Sequence, residues 1–416
     1  MRGLTERLGA VLDRRLASLT GARLAIALSG GGDSVALTLM ADAWARAHGR
    51  RLLVLTVDHG LNPGSAGWTE VCARLARRVG ADFRALAWVG DKPAYGLPAA
   101  ARAARHGLLG DAARAAGASV VMMGHTADDL AETAVMRAAG ATTPDPREWT
   151  PSPAWPQGRG VFLLRPLLTA GRAELRAWLT ARGETWIEDP ANADPRFARA
   201  RARLALAGMA PSPACAGAPL ASDLASLAGQ AVAHAGLSLP RQALRDAPAD
   251  AATTFVSVAA LCAGGTSRPP RGDRLARLAE ALRGETPIIA TLAGARIEAD
   301  AQDIRWLREP GEMARSGLQS LDVQPGEPAV WDGRHEVQAD RPLRFEPLAG
   351  RAARLSPQAR AALLRLPAPA RGGLPATEVD GQVICPLLEA VPGVVITSLA
   401  LDRLRAACGA IPREGG

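Results

Sequence analysis

The chain has 416 residues, 48% hydrophobic and 22% charged, with a formal net charge of +8. That length allows roughly three domains with ample cores, and the composition excludes a disordered chain. No apolar run reaches the ~18 residues of a membrane helix, and the five cysteines (Cys72, Cys215, Cys262, Cys385 and Cys408) make no CxxC pair of zinc or dithiol type.

The positive charge is nearly all arginine, Lys92 being the only lysine, and it favours a polyanionic partner, nucleic acid above all. The cysteine usage and an N-terminus without a signal-like apolar stretch predict a soluble, cytoplasmic protein.

Residues 24–28 read as a buried strand and 35–48 as a helix. The junction, Ser29-Gly30-Gly31-Gly32-Asp33-Ser34, lets the backbone turn sharply and leaves N–H groups free at the positive end of a helix. Such a corner holds phosphate. It is neither a Walker A loop, having no Gly-Lys-Ser/Thr, nor a GxGxxG turn.

Strands at 52–57, 83–87 and 119–123 alternate with helical stretches at 66–80 and 98–117. This predicts an α/β, doubly wound parallel sheet with helices on both faces. Pro144, Pro146, Pro151, Pro153 and Pro156 then predict an irregular surface loop over 144–160, before a strand at 161–164 and a helix at 171–182.

Pro211-Ser212-Pro213 reads as a linker. Helical patterns at 220–235, 251–263 and 272–283, with strands near 287–291, 294–298 and 302–307, predict a small helical domain closed by a β-meander. The last hundred residues, with strands at 327–338 and 380–385 and helices near 356–365 and 397–408, predict a C-terminal α+β domain. The expected domains are therefore 1–208, 209–310 and 311–416.

Three strands end in chemically capable residues: the glycine corner, Asp58-His59-Gly60, and Gly124-His125-Thr126-Ala127-Asp128-Asp129 followed by Glu132-Thr133. Strand C-termini of an open α/β sheet share one edge, and ligands bind there at the switch in strand order. Singly, each has a plain structural use. Thr126 and Asp129 fit a capping box, Asp128 and Glu132 complement a helix dipole, and Asp58 can close a turn. Together, two carboxylates on one helical face beside a phosphate loop can hold Mg²⁺ or act as a base.

Arg102 and Arg105 lie three apart with His106 beside them; they suit either a solvated helix face or a phosphate grip. Arg196, Arg199, Arg201 and Arg203 place four positive charges within eight residues, some solvated and others suited to an RNA backbone.

These residues together resemble the tRNA(Ile)-lysidine synthetase family of the N-type ATP pyrophosphatase (PP-loop, Rossmann-like) superfamily. Ser29–Ser34 matches its SGGxDS loop, and Val57-Asp58-His59-Gly60-Leu61 its second motif. Ala101-Arg102 to Arg105-His106 is similar to AR..RY, with His106 for Tyr, and Gly124 to Thr133 matches GHxxDDxxET. Arg165-Pro166-Leu167 resembles the RPL segment, and Glu188-Asp189-Pro190-Ala191-Asn192 with Arg199 to Arg203 the closing EDPSN…RNRxR.

The match is specific over about 20–205. It is looser to 340, where Arg308-Glu309 and Trp331-Asp332-Gly333-Arg334 are similar to the family's C-terminal portion. Ala191, Ala200 and Leu130 replace the usual Ser, Asn and Gln, and the basic segment expected after Met136-Arg137 is shortened.

The resemblance implies ATP-dependent ligation of free L-lysine to C2 of the wobble cytidine of tRNA(Ile) with a CAU anticodon, through an adenylated cytidine. It implies that Ser29, Gly30, Gly31, Gly32, Asp33, Ser34, Asp58, His59 and His125 bind ATP, with Asp33 beside Mg²⁺. Catalysis falls to Asp33, Arg102, Arg105, Asp128, Asp129 and Glu132, one of the last three receiving the lysine ammonium. Arg137, Arg165, Arg196, Arg199, Arg201 and Arg203 bind tRNA, residues 209–310 assist, and 311–416 contact the acceptor stem. A homodimer is left open.

Two other readings stay open at this point. A PP-loop tRNA thiolase would need a cysteine pair or iron–sulfur ligands, and the cysteines are neither closely spaced nor at the predicted sheet edge. A degenerate ATP-dependent tRNA-binding module without turnover is suggested by the shortened segment after Arg137.

Overall fold

The computed structural model describes residues 3–62, 64–141, 143, 145–190, 194–207, 219–233, 235–270 and 272–415, with residues 219–221 and 316 described by backbone alone. The expected linker at Pro211-Ser212-Pro213 and the Ala191-Asn192 part of the closing segment lie outside the described residues, as do Pro63, Pro144 and Cys215. Two compact units result, one of Met1–Ala216 with Pro412–Gly416 and one of Gly217–Ile411.

The first unit contains α1 (Leu4–Arg15), β1 (Arg23–Ala27), α2 (Gly32–Ala47), β2 (Arg51–Asp58), α3 (Ser65–Arg78), β3 (Asp82–Ala87) and α4 (Leu97–Ala115). It continues with β4 (Val120–Met123), α5 (Ala127–Ala138), β5 (Trp149–Pro151), β6 (Phe162–Leu164), α6 (Arg172–Thr180) and α7 (Ala198–Ala205). The sheet order is β3-β2-β1-β4-β6-β5, parallel throughout except for β5.

Alternate strand residues serve opposite faces. Leu24, Ile26, Leu52, Val54, Val120 and Met122 pack against α1, α2, α3 and α6. Ala25, Leu53, Leu55, Val121 and Met123 pack against Leu109, Ala112 and Ala113 of α4. Burial on both faces is why these strands read as unbroken apolar runs. β1 has β2 on one side and β4 on the other, which puts the switch in strand order at their C-terminal ends.

Two local expectations need correction. Residues 144–160 are not wholly irregular, because they contain β5, which pairs antiparallel with β6 beyond them. β5 is the edge strand, where prolines are tolerated. The expected strand at 327–338 is a hairpin of Ala329–Trp331 and His335–Ala339. Asp332 (φ 47°) and Gly333 (φ 64°) turn it, the positive-φ pair that a tight hairpin requires. α1 was not anticipated; Leu4, Leu8 and Leu12, four apart, bury one of its faces.

In the second unit, Val232–Ala233, Leu237–Pro240, Asp303–Arg308, Ala295–Ala299 and Ile288–Leu292 form an antiparallel sheet in that order. Its core joins Leu239, Ile297 and Trp306 to Phe255 of the helix Ala249–Gly264 and to Leu404 of the helix Ala400–Ala407. A four-stranded and a three-stranded antiparallel sheet complete this unit. Among the described residues no helix is long and apolar enough to cross a membrane.

Candidate active site

The glycine corner sits at the switch point. Gly30 adopts φ 84°, a conformation that favours glycine. Ser34 is buried and ties the turn: its Oγ donates to the Gly31 carbonyl at 2.9 Å, accepts from the Ser29 N–H at 3.3 Å and lies 3.2 Å from Ser29 Oγ. Helix α2 begins at Gly32, so its first N–H groups face the same edge.

A Cβ at Gly124, just past β4, would meet the Asp33 carbonyl and the Ser34 nitrogen at 3.0 Å. The loop after β4 and the first turn of α2 therefore touch backbone to backbone. On another side the Ile187 N–H donates to the Gly30 carbonyl at 2.9 Å, and a Cβ on Gly32 would lie 3.4 Å from the Trp186 ring. Nothing in the sequence singled out Trp186 or Ile187, an aromatic and an aliphatic side chain with no motif of their own.

One cysteine does approach this edge, contrary to expectation. Cys72 of α3 is buried beneath the corner, its Sγ 3.4 Å from where a Gly30 Cβ would be, and burial pushes its thiol up. The other described cysteines, Cys262, Cys385 and Cys408, are buried and free in the second unit.

The acidic helix α5 opens on a closed cap. The Thr126 N–H and Oγ1 donate to Asp129 Oδ2 at 2.7 and 3.0 Å, so Asp129 does serve as the capping residue its spacing allows. Asp128 Oδ2 accepts from the Arg172 N–H at 2.7 Å. Glu132, with only 2% of its side chain exposed, faces three arginines: Arg172 Nη1 at 2.9 Å, Arg203 Nε at 2.9 Å and Arg199 Nε at 3.2 Å. Asp33 accepts from Arg172 Nε at 3.3 Å. Burial, then the neighbouring Asp129, raises the Asp33 carboxyl, while Arg172 and Arg176 oppose that rise.

A cationic group adjoins these carboxylates. Burial and mutual repulsion push Arg105 down to about 10, as burial with Arg102 and Arg105 does for Arg165. Burial and then these arginines push His106 down to about 2 and hold His125 well below the ordinary imidazole range. The His125 ring is thus neutral at pH 7, and its Nδ1 accepts from Arg165 Nε at 3.1 Å, which leaves Nε2 as the donor. Neither Arg102 nor Arg105 has an ion pair among the described residues. Unpaired guanidiniums crowded this closely suit an anionic ligand.

Asp58 closes a turn, accepting from the Gly60 N–H at 2.8 Å. His59 stands edge-on to Trp88, its ring centroid 6.1 Å away, and burial lowers its imidazole.

The six arginines expected to meet tRNA separate into groups. Arg165 is buried, and Arg199 and Arg203 turn inward onto Asp129 and Glu132. Arg137 pairs with Asp145 at 2.6 Å and Arg196 with Asp194 at 2.6 Å, both exposed. Arg201 donates to the carbonyls of Pro195 and Arg196.

Among the described residues no three His, Cys, Asp or Glu side chains group as a metal cage. Mg²⁺ needs none, since it is commonly held by one or two carboxylates with substrate phosphates and water. Asp33, half-buried at the positive end of α2 beside the corner, is a donor of that kind.

A parallel sheet with a glycine corner at its switch point, faced by an acidic helix and free arginines, defines a PP-loop nucleotide-binding domain. The family model described as a PP-loop domain matches residues 4–209, and ATP use goes with that family. The chain is 46% identical to the tRNA(Ile)-lysidine synthase of Caulobacter vibrioides, with 98% of each chain covered. It is 34% identical to that of Rhizobium meliloti, over 78% of this chain and 75% of the relative. The chain belongs to the tRNA(Ile)-lysidine synthase family.

A solved U34-tRNA thiolase from Methanococcus maripaludis, bearing a 4Fe-4S cluster, is matched over 48% of this chain and 70% of that one. That match has 14% identity and a TM-score of 0.39.

Proposed function

We propose that this chain ligates free L-lysine to C2 of the wobble cytidine of tRNA(Ile) with a CAU anticodon, at the expense of ATP, in the cytoplasm. The observation that carries the reading is the backbone contact of Gly124 with Asp33 and Ser34, which sets a phosphate corner directly against an acidic helix.

In the first step the cytidine C2 oxygen attacks the α-phosphorus. The bond to the bridging oxygen breaks, and its electron pair leaves on pyrophosphate. The N–H groups of Gly30 to Asp33, with Ser29 and Ser34, hold that leaving group, and Arg102 and Arg105 offset charge on the reacting phosphate. The lack of a Walker lysine accords with cleavage between the α and β phosphates. Asp33 is the residue that would hold Mg²⁺, which when bound neutralises phosphate charge.

In the second step the lysine amine attacks C2, the C2–O bond breaks and AMP departs. The amine must first lose a proton. Glu132 is engaged by three arginines and serves to organise them, whereas Asp128 gives one oxygen to the Arg172 N–H and keeps the other for the lysine ammonium. His59 and His125 flank the nucleotide. Arg137, Arg196 and Arg201, exposed on the first unit, contact the tRNA backbone, with residues 311–416 on the acceptor stem.

The test incubates the protein with a CAU-anticodon transcript, lysine and Mg-ATP, then analyses the nucleosides by mass. Lysidine formed together with pyrophosphate release above a Ser34→Ala control is expected. Tight tRNA binding with unmodified cytidine would leave only a binding module.

A further inference from the structure

Arg172, the first residue of α6, belongs to none of the motifs discussed above, yet it reaches four carboxylates of the site. Its N–H donates to Asp128 Oδ2 at 2.7 Å, Nε to Asp33 Oδ2 at 3.3 Å and Nη1 to Glu132 Oε1 at 2.9 Å, and Nη2 lies 3.8 Å from Asp129 Oδ1. Its side chain is 14% exposed. Asp33 leaves the sheet on α2 after β1, whereas the other three carboxylates leave on α5 after β4. One guanidinium thus bridges the phosphate corner and the acidic helix.

We propose that Arg172 is a positioning residue, fixing the spacing between the corner that holds ATP and the helix that presents the lysine amine. The proposal rests on the lysidine reading given above.

Two physical points support it. The planar fork of arginine can reach two carboxylates in fixed directions, which the single point charge of a lysine cannot. Glu132 also keeps Arg199 and Arg203, so losing the Arg172 guanidinium leaves that buried charge compensated while it removes the tie between Asp33 and the carboxylates of α5. The main-chain N–H on Asp128 survives in each of the three variants compared below.

The experiment compares Arg172→Gln, Arg172→Lys and Arg172→Ala in the full chain. Arg172→Gln is expected to fold, to bind tRNA as the parent does, and to lose about 100-fold in kcat, the scale of a misplacement near 1 Å. Arg172→Lys should stay well below the parent because an ammonium cannot span both carboxylates. Millimolar methylguanidinium should raise turnover of Arg172→Ala while leaving a Ser34→Ala control inactive, a response that a merely structural role would not give.

Wild-type kcat in Arg172→Gln, or full activity in Arg172→Lys, would overturn the proposal. If the Gln and Ala variants do not fold, the Lys variant decides alone by the same criterion. A parent that makes no lysidine counts against the functional reading and not against the geometry of Arg172.

Discussion

His106 is buried to 3% exposure with no hydrogen-bond partner on either ring nitrogen among the described residues. With its folded value near 2 and an unfolded value near 6.5, the unfolded chain binds a proton across that interval and the folded chain does not. Stability from this group therefore falls as pH drops below about 6.5, by about 1.4 kcal/mol per pH unit. His106→Phe should unfold at higher denaturant at pH 7, by about 1 kcal/mol, because two desolvated nitrogens are gone. It should also lose one proton's worth of pH dependence. Denaturant titrations at pH 5 and 7 check this, and an unchanged slope would refute it. At the neighbouring carboxylates, Asp128→Asn should raise KM for lysine at least about tenfold, the loss of one charge-assisted contact, with KM for ATP unchanged. Glu132→Gln should disturb both substrates, since it loosens three arginines. Steady-state kinetics with each substrate varied separates the two roles.

At the scale of elements, the loop after β4 meets the first turn of α2 with no side chain between them. Gly124→Ala places a methyl 3.0 Å from the backbone of Asp33 and Ser34, atoms that cannot swing aside. KM for ATP should rise about tenfold or more while the thermal midpoint changes little, because the strain can be released by parting the two segments. Equal KM in the variant would mean that the two segments do not need contact. This approach could be foreseen only in outline. β1, β2 and β4 were legible because burial on both faces makes their runs uniformly apolar, and their polar endings then had to share one edge. Arg172 and the Trp186-Ile187 pair were not legible. One arginine in an arginine-rich chain has no periodicity to mark it, and the contact of Ile187 with Gly30 spans more than 150 positions. The Asp332-Gly333 hairpin was signalled by its dipeptide and read through, whereas β5 was hidden by prolines that only an edge strand admits.

At the scale of the whole molecule, the chain leaves the first unit at Ala216 and returns to it at Pro412. The return is anchored by a buried pair. Arg50 Nη1 and Nη2 donate to the two oxygens of Glu414 at 2.9 and 3.0 Å, with side-chain exposures of 1% and 2%. The Ser119 hydroxyl and the Ala17 N–H donate to the same carboxylate at 3.0 Å each, so its lone pairs are well used. The Glu414 N–H in turn donates to the Arg15 carbonyl at 2.8 Å. Arg50 and Ser119 directly precede β2 and β4, so the anchor lies at the sheet edge opposite the phosphate corner. No composition or spacing could announce this, since one glutamate near residue 414 has to find an arginine 364 positions away. Glu414→Ala strands a buried guanidinium and should cost the first unit about 3–5 kcal/mol. The double variant Arg50→Met with Glu414→Leu should be milder than either single change, because it removes both charges and leaves apolar volume. Denaturant unfolding measures both, and turnover at low temperature should survive in each, since nothing at the corner moves. A Glu414→Ala protein that unfolds with the parent would show that the tail is not held by this pair.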